Sequence, residues 1–121
     1  TGADGGYTIA GEQYIPDCAF VSYQRQPHTT DEAYPTIAPD LVVEVLSPGN
    51  LRTFEEREKM IRKVSNYLSV GCEVWLLYPD DEKLERYIPG EAVRTYRNGE
   101  VLKGRGVLEG FELEISSIWP Q

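Results

Sequence analysis

The chain has 121 residues, of which 40% are hydrophobic and 26% are charged, and its formal net charge at pH 7 is -8. This length predicts a single domain with a hydrophobic core of its own. No apolar run approaches the roughly 20 residues that span a bilayer, so we expect no membrane partner. The negative charge argues against non-specific binding to a phosphate backbone, which requires a basic surface.

The first third of the chain predicts short strands and a long polar loop. Residues 7–9 predict a short strand, and residues 18–23 predict another by their β-branched and aromatic content. Pro16 suits the entry of that second strand. Residues 24–38 are polar and contain two prolines, which predicts a surface loop. His28 lies in this loop without a partner motif, so we expect it at the surface.

The middle of the chain predicts a buried strand followed by a helix. Residues 40–46 are mostly aliphatic and end in a Ser-Pro-Gly-Asn turn. The pattern then predicts a helix from Thr53 to Val70, with Thr53 as N-cap and Glu56 at the capping-box position. Gly71 suits the position just after the helix. The apolar stripe that should face the core consists of Phe54, Ile61, Val64 and Leu68.

The last third predicts strands and turns. Strands are expected over residues 73–78, 83–88, 92–96 and 110–115. Asn98-Gly99 is the strongest two-residue hairpin signal in the chain. Strands, one good helix and further strands together predict an α/β or α+β fold built on one sheet.

The two cysteines, Cys18 and Cys72, each lie within apolar, strand-like sequence. We expect both to be reduced and buried as small hydrophobic residues. No Cys-x-x-Cys motif or Cys/His cluster indicates zinc. Reduced thiols are typical of the cytoplasm, where we expect this protein.

A carboxylate stands in the middle of the predicted strand 40–46. Burying Glu44 is costly unless a metal, a cation or hydrogen bonds meet it. Asp40 shares its face but lies roughly 13 Å along the strand, so a second acid must come from another strand. Asp17 opens the strand 18–23 and is the best candidate, because two carboxylates from neighbouring strands suit Mg²⁺. Two alternatives stay open: Glu44 pairs with a buried arginine, or Asp17 begins its strand at the surface.

Several segments share a pattern with a known family. They are Ile-Pro-Asp-Cys-Ala-Phe-Val at 15–21, Ala-Pro-Asp-Leu-Val-Val-Glu-Val-Leu-Ser-Pro-Gly-Asn at 38–50, Lys-Val-Ser-Asn-Tyr-Leu-Ser-Val-Gly at 63–71, Val-Trp-Leu-Leu-Tyr-Pro at 74–79 and Gly-Phe-Glu-Leu at 110–113. Together they resemble the Uma-type putative restriction endonuclease family, a bacterial group of the PD-(D/E)xK nuclease-like superfamily. The likeness covers most of residues 11–119.

The resemblance implies a restriction-endonuclease-like domain over residues 1–121, with a mixed sheet, one main helix and a C-terminal set of antiparallel strands. It also implies that Asp17 and Glu44 bind Mg²⁺ or Mn²⁺ and that DNA is the partner. Family members carry a helical segment ahead of the first strand, which this chain lacks. Because the chain begins at Thr1, we expect an N-terminally truncated fragment.

One expected residue is absent from the pattern. Leu46 stands where the superfamily has a lysine two residues after the acid. The resemblance suggests that a helix lysine replaces it, and the Lys-x-x-x-Tyr spacing selects Lys63 with Tyr67. Lys59, one turn earlier on nearly the same face, is the rival. On a helical wheel Lys63 lies away from the predicted apolar stripe, so it either reaches the site from the edge of the helix or is a solvated lysine.

These observations support two functions from different classes. The first is a Mg²⁺-dependent endonuclease in which Asp17 and Glu44 hold the ion and Lys63 acts on the phosphate or on the attacking water. The second is a catalytically inactive nuclease-fold domain that acts as a binding or assembly module. The net charge and Leu46 favour the second, whereas an acid kept inside a strand favours the first. By analogy with other nuclease folds, a homodimer is expected in either case.

Overall fold

The computed structural model describes residues 6–14, 17–21 and 38–120. Within them the chain forms one α-helix and nine strands. The strands are β1 (Tyr7–Ile9), β2 (Glu12–Tyr14), β3 (Cys18–Phe20), β4 (Leu41–Val45), β5 (Glu73–Tyr78), β6 (Lys83–Tyr87), β7 (Arg94–Arg97), β8 (Val101–Lys103) and β9 (Glu112–Glu114), and the helix α1 is Phe54–Ser69. The predictions for Pro16, for His28 and for nearly all of the loop 24–38 lie outside the described residues.

The central sheet has five strands in the order β3-β4-β5-β6-β7. Strands β4 and β5 are parallel, and the other neighbours are antiparallel. A parallel pair needs a crossover connection, and α1 provides it. The predicted fold class, a mixed sheet with one main helix, is therefore confirmed. Strands β1 and β2 form a separate hairpin, as do β8 and β9.

Local signals placed the ends of α1 correctly. The side chain of Thr53 accepts a hydrogen bond of 3.1 Å from the backbone N–H of Glu56, as an N-cap does. Gly71 follows the C-cap with a φ of 85°, a conformation that glycine adopts without steric cost. The predicted helix, 53–70, exceeds the observed helix, Phe54–Ser69, only by its two caps, Thr53 and Val70.

The predicted apolar stripe of α1 was only partly correct. Val64 is buried, but Phe54 and Ile61 are 68% and 67% exposed. The second buried side chain of the helix is Tyr67. The helix is thus rotated about its axis so that Val64 and Tyr67 face the sheet. This rotation has a functional consequence, because Lys63 then lies at the edge of the buried face and no longer far from it.

The Asn98-Gly99 turn forms, but the predicted hairpin does not. The backbone N–H of Glu100 donates to the carbonyl of Arg97 and closes the turn. Strand β7 before it pairs with β6, whereas β8 after it pairs with β9. The chain leaves the sheet here because the β8–β9 hairpin and the residues after it pack across one face of the sheet. The apolar residues buried there are Leu41, Trp75, Leu84, Tyr96, Leu102, Ile115 and Trp119.

The opposite face of the sheet carries a second core beneath α1 and the β1–β2 hairpin. Its buried residues are Tyr7, Ile9, Ala19, Val42, Leu46, Val64, Tyr67, Cys72, Val74 and Leu76. Alternation along β4 sends Val42, Glu44 and Leu46 to this side. Cys72 is buried as expected, but the prediction for Cys18 was wrong, because Cys18 is exposed on edge strand β3. In the part of the chain that is described, no helix is long and apolar enough to cross a membrane.

Candidate functional site

Strand pairing brings Asp17 and Glu44 together, as the sequence predicted. Cys18 on β3 lies opposite Val43 on β4, so that Asp17, just before β3, reaches the next part of β4. The Asp17 Oδ2 atom accepts a hydrogen bond of 2.7 Å from the backbone N–H of Val45. The Asp17 carboxylate lies close enough to Glu44 to raise the pKa of the Glu44 carboxyl. Two carboxylates from neighbouring strands therefore face each other at the edge of the helix-side core.

The structure distinguishes between the two lysines. Lys63 Nζ lies 2.9 Å from Glu44 Oε1, and the Lys63 side chain is only 20% exposed. Lys59 is 72% exposed and lies 3.9 Å from Glu56 on its own helix. Lys63 reaches the acid because α1 is rotated toward Tyr67. Among the described residues no arginine pairs with Glu44, so the first alternative does not occur there. The other alternative holds in part, because Asp17 is exposed just before β3.

The charge on Glu44 is poorly compensated. Glu44 is 6% exposed, and burial raises the pKa of its carboxyl. The Lys63 ammonium partly offsets this effect on the pKa, whereas the charge and hydrogen bond of Asp17 raise it further. Although Lys63 Nζ is close, the buried Glu44 Oε1 atom accepts no hydrogen bond of good geometry from any residue that the structure describes. A buried acceptor without a directed donor, beside a second carboxylate, fits a bound cation.

Tyr67, whose spacing to Lys63 helped to select that lysine, lies near Glu44. It is fully buried, and within the described residues its hydroxyl has no hydrogen-bond partner. Burial raises the pKa of its phenol, and the nearby negative charge of Glu44 adds to that rise. The tyrosine therefore stays neutral, as a potential hydrogen-bond donor beside the carboxylates.

The sequence did not indicate the role of Tyr14. Its ring lies 5.4 Å from the ring of Tyr67 and 5.7 Å from Lys63 Nζ, which is a cation–π distance. The Tyr14 hydroxyl donates to Glu12 and accepts from Asn66, at 3.0 and 2.8 Å. These contacts tie the β1–β2 hairpin to α1 over Lys63. No local signal could have revealed the contacts of Tyr14 with α1, since they join residues 49 to 53 positions apart.

Other candidates lie away from the carboxylate pair. Leu46, which replaces the expected lysine, is buried in the helix-side core. Asp40 lies at the start of β4, and its carbonyl accepts from the backbone N–H of Glu73. Among the residues that the structure describes, no group of three or more His, Cys, Asp or Glu side chains is arranged for a metal ion. A cation between Asp17 and Glu44 would therefore have two protein carboxylates, with its remaining positions open.

The described residues combine a mixed sheet and one crossover helix with two carboxylates beside a helix lysine. A family model gives the class of protein. The model of the Uma2 family, described as putative restriction endonucleases, matches residues 1–116. The chain therefore belongs to this family.

A solved structure supports the fold. The chain is similar to a putative nuclease belonging to DUF820 from Anabaena variabilis ATCC 29413, with a TM-score of 0.76 and 19% sequence identity. The match covers 93% of this chain and 63% of that one, so the chain spans less than two thirds of its solved relative. Comparison with curated proteins gives no match.

Proposed function

We propose that the chain provides the active site of a Mg²⁺-dependent endonuclease that hydrolyses phosphodiester bonds of DNA, with Mn²⁺ as a substitute ion. The observation that carries this proposal is the pair of Asp17 and Glu44 with Lys63 2.9 Å from Glu44. Carboxylate oxygens are the ligands that Mg²⁺ prefers. Membership of a family described as putative restriction endonucleases supports the same activity.

Each side chain has a distinct role in this proposal. Asp17 and Glu44 hold the ion, which when bound supplies positive charge against the negative charge that develops on phosphate. The hydrogen bond from Val45 N–H orients Asp17. Lys63 lies at the edge of the site with its ammonium partly exposed, so it can donate to a phosphate oxygen. The ring of Tyr14 limits the directions in which Lys63 can turn.

Metal binding tests the site without relying on activity. In calorimetric titrations of the full-length chain with Mg²⁺ and Mn²⁺, we expect Glu44→Gln and Asp17→Asn each to weaken binding at least tenfold, because each removes one of two anionic ligands. Asp40→Asn is the matched control, since it removes an acid from the same strand but outside the pair. Cleavage of plasmid DNA by wild type and Glu44→Gln then tests the chemistry.

Two outcomes would contradict the proposal. Metal binding that survives both Glu44→Gln and Asp17→Asn would place the ion elsewhere. If metal binding depends on both acids but no DNA substrate is cleaved, the ion site would be supported and the nuclease activity would be excluded.

The second outcome would favour the other candidate function, an inactive nuclease-fold domain that acts as a binding or assembly module. Leu46 supports this candidate because it is buried and apolar where the superfamily has a lysine. The net charge of -8 also supports it.

A homodimer is part of either proposal and is tested by light scattering over a range of protein concentrations. A cytoplasmic location is likewise proposed, on the basis that Cys18 and Cys72 are both free thiols.

A further inference from the structure

A polar cavity of about 380 Å³ lies beside the carboxylate pair, between the β1–β2 hairpin and α1. Three cations of α1 line it, namely Lys59, Arg62 and Lys63, and Tyr14 contributes to the opposite wall. Residues three and four positions apart lie on one face of a helix, which explains why these three side chains converge. Lys63 belongs both to this cavity and to the ion pair with Glu44, so the cavity adjoins the proposed metal site.

The cavity concentrates basic residues in an acidic chain. Its lining carries three positive charges against two negative ones, those of Glu12 and Glu56. Glu12 Oε2 accepts from Asn66 at 2.6 Å and from Tyr14 at 3.0 Å, which holds the carboxylate in place, but both donors are neutral and its charge remains. Glu56 is 3.9 Å from Lys59, an exposed contact of little strength. Arg62 lies close enough to Tyr14 for its charge to lower the pKa of that hydroxyl.

We infer that this cavity binds a phosphodiester of a single DNA strand, next to the one held at the carboxylate pair, through Lys59 and Arg62. This inference rests on the proposed function. Lys59 precedes Lys63 by about 6 Å along the helix axis, a distance close to the spacing of successive phosphates on one strand. The helix therefore presents one cation to each of two neighbouring phosphates, and the guanidinium of Arg62 has the fork that suits phosphate oxygens.

The size and the charge of the site select a single strand. A cavity of about 380 Å³ accommodates one nucleotide rather than a duplex. The chain as a whole carries -8, so it repels a long polyanion everywhere except at local cationic patches. The ring of Tyr14 provides an aromatic surface against which a base or sugar can pack, a common feature of sites for single strands. Lys59 has no role at the proposed metal site, but in the cavity it binds phosphate.

The test is fluorescence anisotropy of a labelled short oligothymidylate with the full-length chain in the absence of metal. We expect Lys59→Ala/Arg62→Ala to weaken binding roughly tenfold, and to reduce the slope of log Kd against log salt concentration by about 0.7, the value for one lost phosphate on a single strand. The matched control is Arg97→Ala/Lys103→Ala, which removes the same charge from exposed positions on β7 and β8. The control should bind as the wild type does.

Three results would overturn the inference. Equal losses in the two double variants would show a general charge effect. Inorganic phosphate that competes as well as the oligonucleotide does would indicate a site for the free ion. Tighter binding of a blunt duplex than of the single strand would exclude a single-strand site.

The failure of this inference is distinguishable from failure of the proposed nuclease. Binding without metal should persist in Glu44→Gln, because the cavity cations are unchanged. If the proposed nuclease is active, loss of Lys59 and Arg62 should raise KM and leave kcat close to its wild-type value. If it is inactive, the difference in affinity between the two double variants still tests the cavity.

Discussion

Two largely buried acids on neighbouring strands behave differently, although each lies beside a cation. Glu44 on β4 faces α1, and Glu73 on β5 faces the C-terminal hairpin. Glu73, whose side chain is 13% exposed, accepts through Oε2 from Trp75 Nε1 at 2.6 Å and from Arg86 Nε at 2.7 Å. Within the described residues Glu44 contacts one cation, Lys63, without good hydrogen-bond geometry, and the second carboxylate of Asp17 lies nearby.

The Glu73 pair has a structural role. Arg86 is 5% exposed, and besides Glu73 it donates to the carbonyl of Lys103 at 2.9 Å and to the hydroxyl of Tyr96. It therefore links the central sheet to the β8–β9 hairpin. This is the arrangement of acid and buried arginine that the sequence left open for Glu44, found one strand away and on the opposite face. Within the described residues Arg86 Nη2 also lacks a hydrogen-bond partner, so the two pairs differ in their acids: two donors reach Glu73 Oε2 with good geometry, whereas none reaches Glu44 Oε1. An acid with directed donors stabilises the fold, whereas one without them is available to a ligand.

The largest effect should come from breaking the structural pair. Arg86→Met should lower the free energy of unfolding by about 3–5 kcal/mol, because it leaves Glu73 buried without a counter-charge. Arg94 lies directly opposite Arg86 on β7 but is largely exposed, so Arg94→Met is the matched control and should cost less than about 1 kcal/mol. Urea unfolding measures both values. If the two substitutions lower the free energy of unfolding equally, the Arg86–Glu73 pair has no special structural role.

A smaller effect, of opposite sign, is expected at the other acid. Glu44→Gln should raise the free energy of unfolding at pH 7 by about 1–2 kcal/mol, because it removes a poorly compensated charge and Lys63 can turn toward solvent. Glu73→Gln should instead lower it, since it weakens the bond to Arg86. Thermal and urea unfolding of the two variants under the same buffer conditions give the comparison. A loss of stability in both would mean that Glu44 is a structural acid like Glu73.

The pH dependence of the free energy of unfolding tests whether ionisation of Glu44 causes the gain in Glu44→Gln. Burial raises the pKa of Glu44 in the folded state above its value in the unfolded chain. The folded state therefore holds the proton more tightly, so the contribution of Glu44 to stability falls as pH rises from the unfolded pKa through the raised folded pKa. The stability gained by Glu44→Gln should accordingly be near zero below about pH 4.3 and grow as pH rises above it. A gain that is independent of pH would exclude ionisation of Glu44 as its cause.

The smallest effect should come from Lys63. Lys63→Met removes the only cation that contacts Glu44 within the described residues, and should lower the free energy of unfolding at pH 7 by about 1 kcal/mol. The loss should shrink as pH falls below the unfolded pKa, because the raised pKa of Glu44 favours its neutral form, which attracts Lys63 weakly. Unfolding curves at pH 7 and at about pH 4 measure the difference. Lys59→Met, on the exposed part of the same helix, should change stability at neither pH.

The sequence by itself determined the elements that depend on neighbouring residues. The Thr53 cap, the glycine after α1 and the aliphatic runs of β4 and β5 act over a few positions, so they were predicted within one or two residues. The expectation that Glu44 needs a partner followed from the cost of burying charge. Asp17 was chosen as that partner because Asp40 lies too far along the same strand and Asp17 opens another predicted strand. The roles of Asp17, Glu44 and Lys63 in metal binding and catalysis stay predictions.

Tertiary packing decided which surfaces meet. Phe54 and Ile61 are as apolar as Val64, yet only the rotation of α1 on the sheet buries Val64 and exposes the other two. The same rotation selects Lys63 over Lys59, and burial of the C-terminal apolar residues turns the chain away from the hairpin expected at Asn98-Gly99. Local propensities determine the conformation of a segment. The face that the segment buries depends on packing against surfaces that are distant in sequence, and a single segment does not specify that packing.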